Sequence, residues 1–231
     1  MIKKIVFEDL DLLSKNKKWE WKGKMYSLED YERIREIDEK EERIQSRYEQ
    51  SGVGERYLTK KLSDFLTETE EQKNGLEKVK KFISDVQNGK QKTLWLNGTV
   101  GTGKTLLASL IIRECGGKFV KSYQIQNELE DCRSFKATES KCDLIKRYST
   151  VRPVLVIDEI GKIDTKTEVE YLFQIINERY ERKGTSTILI TNKTKLELKE
   201  YLGKAIFNRF VENCTAIEFI GESYRLKERK E

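Results

Sequence analysis

Leu94-Trp95-Leu96-Asn97-Gly98-Thr99-Val100-Gly101-Thr102-Gly103-Lys104-Thr105 is the stretch that decides the fold. Leu94, Trp95 and Leu96 predict a short buried strand. Gly98, Thr99, Val100, Gly101, Thr102, Gly103, Lys104 and Thr105 fit G-x-x-x-x-G-K-[ST], a loop that cradles nucleotide phosphates. Leu106 to Arg113 follows as a helix with no breaker. The glycines let the backbone curl so that its N–H groups point inward, and no Cβ blocks the phosphates. The helix N-terminus adds partial positive charge at the same place. Lys104 is expected to reach the β- and γ-phosphates of ATP, and the Thr105 hydroxyl to ligate Mg²⁺. A Gly-rich turn with a solvated lysine is the bland alternative. The strand before and the helix after argue against it.

Working outward, strands and helices alternate. Glu68 to Gln87 predicts a helix with Leu76, Val79, Phe82 and Ile83 inward, ended by Asn88-Gly89. Lys118 to Tyr123 is the next expected strand, and Ile125 to Arg133 and Ser140 to Tyr148 are expected helices. Val154-Leu155-Val156-Ile157 is a run of four apolar residues, the mark of a strand buried on both faces. Val169 to Arg182 predicts an amphipathic helix, Thr187 to Asn192 a strand, Leu196 to Phe210 a helix and Ala216 to Ile220 a last strand. This alternation predicts a three-layer α/β domain with a parallel sheet.

Ahead of it, Trp19, Trp21, Met25 and Tyr26 cluster as a small core or a docking patch. Ser27 and Asp30 resemble a capping box, opening a long polar helix to about Gln50 with a narrow stripe of Tyr31, Ile34, Ile37, Ile44 and Tyr48. Ser51-Gly52-Val53-Gly54 breaks that helix, so residues 1–51 are expected to form an N-terminal arm and 52–231 the larger domain.

Composition narrows the chemistry. The chain has no histidine, which excludes His-dependent catalysis. Its four cysteines (Cys115, Cys132, Cys142, Cys214) lack zinc-ligand spacing and suit reduced thiols. No run approaches a membrane span, and Met1 to Glu8 lack a signal-peptide core, so a cytoplasmic location with no membrane partner is expected. Net charge is +5, but residues 1–55 carry 12 basic against 14 acidic side chains, so the excess lies in the larger domain.

Asp158-Glu159 stands at the carboxyl end of the Val154–Ile157 strand, where ligands bind in open α/β sheets. Asp158 is expected to orient Mg²⁺ through its water shell. Glu159 suits a general base that polarises the water attacking the γ-phosphate. Asn192, ending the next apolar strand, offers a neutral amide to hold that water.

The order G-T-V-G-T-G-K-T, V-L-V-I-D-E-I-G, I-L-I-T-N, F-N-R-F and E-S-Y-R resembles the AAA+ ATPases of the DnaC/IstB-like group, with the DnaC-type replicative helicase loader the nearest type. The likeness runs from about Gly52 to Arg225, and Gly54 departs from it where relatives often have proline. The resemblance implies an ATPase domain with its lid reduced or absent. It implies Asn192 as sensor 1, Arg209 in Phe207-Asn208-Arg209-Phe210 as the arginine finger, and Arg225 in Ser223-Tyr224-Arg225 as the sensor 2 arginine. Arg179 and Arg182 compete for the finger role. It also implies slow hydrolysis that acts as a reset, an arm that grips a hexameric replicative helicase, and self-assembly on ATP and DNA. Lys118, Lys121 and Tyr123 on one expected strand, then Arg133, Lys136, Lys141, Lys146 and Arg147, fall where the loaders line a single-stranded DNA channel. A solvated surface explains them equally well. Two rivals stay open: an IstB-type transposition helper, and an ATP-holding interaction module without turnover.

Overall fold

The computed structural model describes residues 18–219 other than Leu66, Lys136, Ile163 and Asp164. Packing divides the chain into two compact units, with the division between Ser46 and Arg47. In the first, β1 (Trp19–Trp21) and β2 (Lys24–Tyr26) pair antiparallel, with Trp19 opposite Tyr26. Lys22 and Gly23 both take positive φ, 47° and 77°, as a two-residue hairpin turn requires. Helix α1 (Leu28–Glu49) starts after Ser27, whose Oγ accepts the Asp30 N–H at 3.2 Å. Trp21 meets Tyr31 edge-on at 6.0 Å and donates its indole N–H to Asp38 at 2.6 Å. Trp21 is therefore seated on α1, while Met25 remains exposed.

The larger unit takes in the last turn of α1. Tyr48 is 1% exposed there and donates its hydroxyl to the Tyr57 carbonyl at 3.2 Å. Ser51 accepts the Phe119 N–H at 2.7 Å. Gly52, at φ +88°, is required because a Cβ would stand 2.4 Å from the Phe119 carbonyl oxygen. Two short 3₁₀ turns, Glu55–Tyr57 and Leu62–Asp64, lead to α2 (Glu70–Gln87), which opens with a Thr69/Gln72 capping box.

The remaining elements alternate as the apolar runs predict. They are β3 (Thr93–Gly98), α3 (Lys104–Cys115), β4 (Gly117–Lys121), α4 (Ser122–Asp131), α5 (Lys141–Ser149), β5 (Val154–Ile160), α6 (Lys166–Glu181), β6 (Ser186–Thr191), α7 (Lys195–Leu202), α8 (Lys204–Val211) and β7 (Cys214–Phe219). The five strands lie in the order β4-β5-β6-β3-β7 and are all parallel. Both faces are apolar, as a fully covered parallel sheet needs. Leu94, Leu96, Val156 and Ile190 pack with α2 and α3 residues such as Val79 and Ile111. Trp95, Leu155, Ile157 and Leu189 pack with Leu172, Ile175 and Phe207 of α6 and α8.

Two expectations need correction. The single helix expected over Leu196–Phe210 is two, because Gly203 (φ +77°) ends α7 and starts α8. The strand expected over Lys118–Tyr123 stops at Lys121, so Tyr123 lies in the first turn of α4 and not beside Lys118 and Lys121 on a strand. Ser122 is wholly buried at that junction, and its hydroxyl engages helix α6 instead of solvent. Among the described residues no helix is long and apolar enough to cross a membrane.

Candidate functional site

The carboxyl ends of β3, β5 and β6 open into a cleft of about 710 Å³, within the usual size range of ligand pockets. Each wall traces to a local choice in the sequence. Gly98 runs so close to β7 that a Cβ would meet the Phe219 carbonyl oxygen at 2.0 Å, and the Thr99 N–H donates to that oxygen at 3.0 Å. This pins the start of the loop. Thr102 donates to the Thr99 carbonyl at 2.9 Å and closes it. Gly103, left-handed at φ +92°, turns the chain into α3, whose first N–H groups then face the cleft. Lys104 folds its ammonium onto the Gly98 and Thr99 carbonyls at 2.7 and 2.6 Å, inside the loop it is expected to serve.

Across the cleft Asp158 is 3% exposed. Its Oδ2 accepts the Thr105 hydroxyl at 3.0 Å and its Oδ1 the Glu159 N–H at 2.7 Å. Burial pushes its pKa up, and these two hydrogen bonds oppose that only in part. Two hard oxygen donors from Thr105 and Asp158 thus sit side by side, the sparse protein share suited to Mg²⁺ held mainly by phosphate and water. Among the described residues no cluster of three or more carboxylate or thiol ligands exists, so nothing competes as a closed metal cage.

Glu159 is set differently. The β5–β6 register slips between Ile157 and Ile160, and Glu159 takes φ +62°. A left-handed non-glycine residue costs about 1–2 kcal/mol, and such strain clusters at functional sites. The bulge swings Glu159 out of the ladder into the cleft lining, where its carboxylate lies 3.2 Å from the Lys162 ammonium. On the next strand, Thr191 donates to the Ile160 carbonyl at 2.9 Å and accepts the Lys193 N–H at 3.1 Å. That clip holds Asn192 at the strand end, exposed and facing the same cleft.

The cleft therefore gathers Val100 to Thr105, Asp158, Glu159 and Asn192, and does not gather Arg179, Arg182 or Arg209. Arg209 sits on α8 near the amino end of β3, where Thr93 donates to the Phe210 carbonyl at 2.8 Å. Five residues of strand, about 17 Å, separate that level from Gly98. Arg179 is removed from contention because it is a core residue, 1% exposed. Its guanidinium donates to Thr187 Oγ1 and to the carbonyls of Tyr148, Ser149, Val151 and Ser186. Arg225 and its Ser223-Tyr224-Arg225 motif lie outside the described residues. Of the candidate DNA residues, Arg147 pairs with Glu128 and Glu139 at 2.7 and 3.0 Å. Lys146 and Tyr123 are exposed, while Lys118 and Lys121 are half-buried, with Lys121 in register with Asp158.

Arg56, Tyr57, Lys60, Asp64 and Phe65 also line the cleft, and no motif in the sequence assigns them to it. They come from the irregular segment before α2, brought in by contacts such as Phe65 against Gly103, where a Cβ would stand 2.9 Å from the ring. Their one signal is an aromatic and charged cluster where no element is predicted.

Comparison with known proteins identifies a family and a fold. The family model described as IstB-like ATP binding protein matches residues 35–231. A Bacillus thuringiensis subsp. berliner relative, named as an ATP-binding protein of insertion sequence IS232, is 32% identical over 158 residues, covering 64% of this chain and 61% of the relative. A Geobacillus stearothermophilus relative, named likewise for IS5376, is 34% identical over 149 residues, covering 61% and 58%. The chain thus spans about three fifths of these relatives' length. The replicative helicase loader DnaC of Buchnera aphidicola subsp. Schizaphis graminum is 27% identical over 184 residues, covering 76% of this chain and 73% of the relative. Among solved structures, that of the DnaC helicase loader superposes with TM-score 0.63 at 22% identity over 72% of this chain and 99% of that one. The DnaI structure gives 0.61 at 21% over 74% and 93%. At such identities the shared property is the α/β P-loop NTPase fold.

Proposed function

The chain belongs to the IstB-like ATP-binding protein family, and from that premise we propose that it is a magnesium-dependent ATPase that loads a replicative DNA helicase. The observation that carries the ATPase reading is the convergence of Lys104, Thr105, Asp158, Glu159 and Asn192 on one cleft. Lys104 binds the β- and γ-phosphates once its ammonium leaves the loop carbonyls. Thr105 and Asp158 hold Mg²⁺, which when bound neutralises charge on the phosphates. Glu159 takes the proton of the attacking water, and Asn192 orients that water. Arg209, too far from its own cleft, completes a neighbour's site, so turnover follows self-assembly.

For the role beyond hydrolysis, the support is the helicase loader relative, which matches more of this chain than the insertion-sequence relatives do. The arm that grips the helicase lies within residues 1–51, single-stranded DNA is the second ligand, and hydrolysis resets the assembly. A second reading, a transposition helper, is favoured by the higher identity, 32% and 34%, to the insertion-sequence proteins. Two measurements test the proposal. Lys104→Ala should abolish ATP binding, and Glu159→Gln should bind ATP but not turn it over. Co-purification of the full chain with a hexameric helicase supports the loader, and with a transposase the helper. Normal ATP affinity in Lys104→Ala would undo the site itself.

A further inference from the structure

A buried carboxylate behind the cleft has no part in the reading above. Glu168, in the first turn of α6, is 0% exposed. Taking a carboxylate wholly out of water costs several kcal/mol unless donors replace its hydration, and packing alone would be served by an apolar side chain. Its donors come from three different elements. Oε1 accepts the Ser122 hydroxyl at the start of α4, and Oε2 accepts the Tyr201 hydroxyl on α7. Both oxygens face the Gly161 N–H, at 3.2 and 3.3 Å. Tyr171, one turn along α6, braces the cluster by donating to the Ser122 carbonyl at 2.9 Å.

Gly161 is two residues beyond Glu159 and takes φ +73°. The Lys193 side chain also packs on Gly161, so that a Cβ there would stand 2.1 Å from its Cε. The turn that follows the bulge is therefore held by two groups, the Glu168 carboxylate through a hydrogen bond and the Lys193 stem through packing. One clamp reaches α7, the helix that continues the chain from Asn192.

We propose that Glu168 is a positioning residue for the hydrolytic site. It fixes the Gly161 turn, holds Glu159 in its left-handed, cleft-facing conformation, and ties that conformation to the strand end bearing Asn192. The inference rests on the ATPase reading for its consequence and on the Gly161 hydrogen bond for its geometry. Those two can be measured separately.

The experiment uses the full chain as wild type, Glu168→Ala and Glu168→Gln, with two readouts. Amide hydrogen exchange across residues 158–165 is followed without nucleotide, and steady-state ATP turnover is resolved into kcat and KM. In Glu168→Ala, exchange at Gly161 should rise about tenfold or more, since one buried hydrogen bond is lost. kcat should fall about 30-fold with KM within about threefold, because misplacing a base by an ångström is costly while phosphate contacts persist. Glu168→Gln keeps an acceptor oxygen and the side-chain volume, and should recover most of both losses. It also carries the comparison if the alanine variant does not fold, in which case a partial rise in exchange with a partial fall in kcat is expected. Wild-type exchange at Gly161 in both variants overturns the proposal. So does a loss confined to KM or to thermal stability. If wild type itself shows no turnover while Glu168→Ala frees the Gly161 amide, the ATPase reading fails and the clamp stands.

Discussion

Replacing Arg179 by alanine tests how the structure separates a core arginine from a functional one. The side chain is fully buried, and burial draws its pKa down. Its five hydrogen bonds join the end of α5, the residues after it and the start of β6. Alanine takes the donor from those acceptors, of which the Tyr148 carbonyl keeps the Val151 N–H, at about 1–3 kcal/mol for each one left buried and unpaired. Removing a guanidinium that has no carboxylate partner among the described residues returns several kcal/mol of desolvation. The balance is a loss of about 3–5 kcal/mol, in line with breaking one side of a buried polar network. For a chain of this length each kcal/mol moves the midpoint by about 2–4 °C, so the melting temperature should drop by about 6–20 °C. Arg209→Ala, on a half-exposed helix position, should stay within about 0.5 kcal/mol of wild type. The assay is reversible urea unfolding of both variants, with thermal melts in parallel. An Arg179→Ala protein within about 1 kcal/mol of wild type would refute the hydrogen-bond accounting and restore Arg179 as a competitor for the trans-acting role.

Asp158→Asn should raise the stability of the nucleotide-free protein. The aspartate pKa is raised by burial, so the ionised carboxylate weakens the fold above the folded pKa, and the penalty fades as pH falls toward the unfolded value. The gain should therefore be largest at neutral pH and vanish in acid; equal gains at both ends of a pH series of melts would contradict it. A chain beginning at residue 47 should fold, whereas one beginning at residue 52 loses buried Tyr48 and with it about 3–5 kcal/mol, measurable by urea unfolding. Mixing Arg209→Ala with Lys104→Ala should restore ATP turnover above either alone, since a trans arginine is worth about 10³–10⁵ in rate. No recovery despite confirmed co-assembly would place hydrolysis within one subunit.

What was legible in the sequence was whatever a local rule enforces. The phosphate loop was legible because only glycine allows its turns, and β5 because four consecutive apolar residues suit a strand covered on both faces. Asp158 and Glu159 followed from their place at that strand's end. What Glu159 needed was invisible, since its bulge depends on a pairing with β6 that no spacing encodes. Gly203 does not announce the break between α7 and α8, because one glycine inside an amphipathic run reads as a weak helix residue. The Arg56–Phe65 wall and the Glu168 clamp escaped because their partners lie far along the chain. Arg179 and Arg209 looked alike as letters; only burial tells them apart.

The β7 strand has a consequence for how the protein is made. It pairs with β3 along its whole length and supplies, at Phe219, the carbonyl that pins the phosphate loop at Thr99. About 120 residues separate those two positions, and at ribosomal speeds of about 5–20 residues per second the loop waits roughly 6–24 s for its anchor. Until then β3 exposes an apolar edge, the kind of unpaired strand that chaperones shield. Nucleotide binding should thus begin only once β7 has been made, however early β3 and the loop emerge.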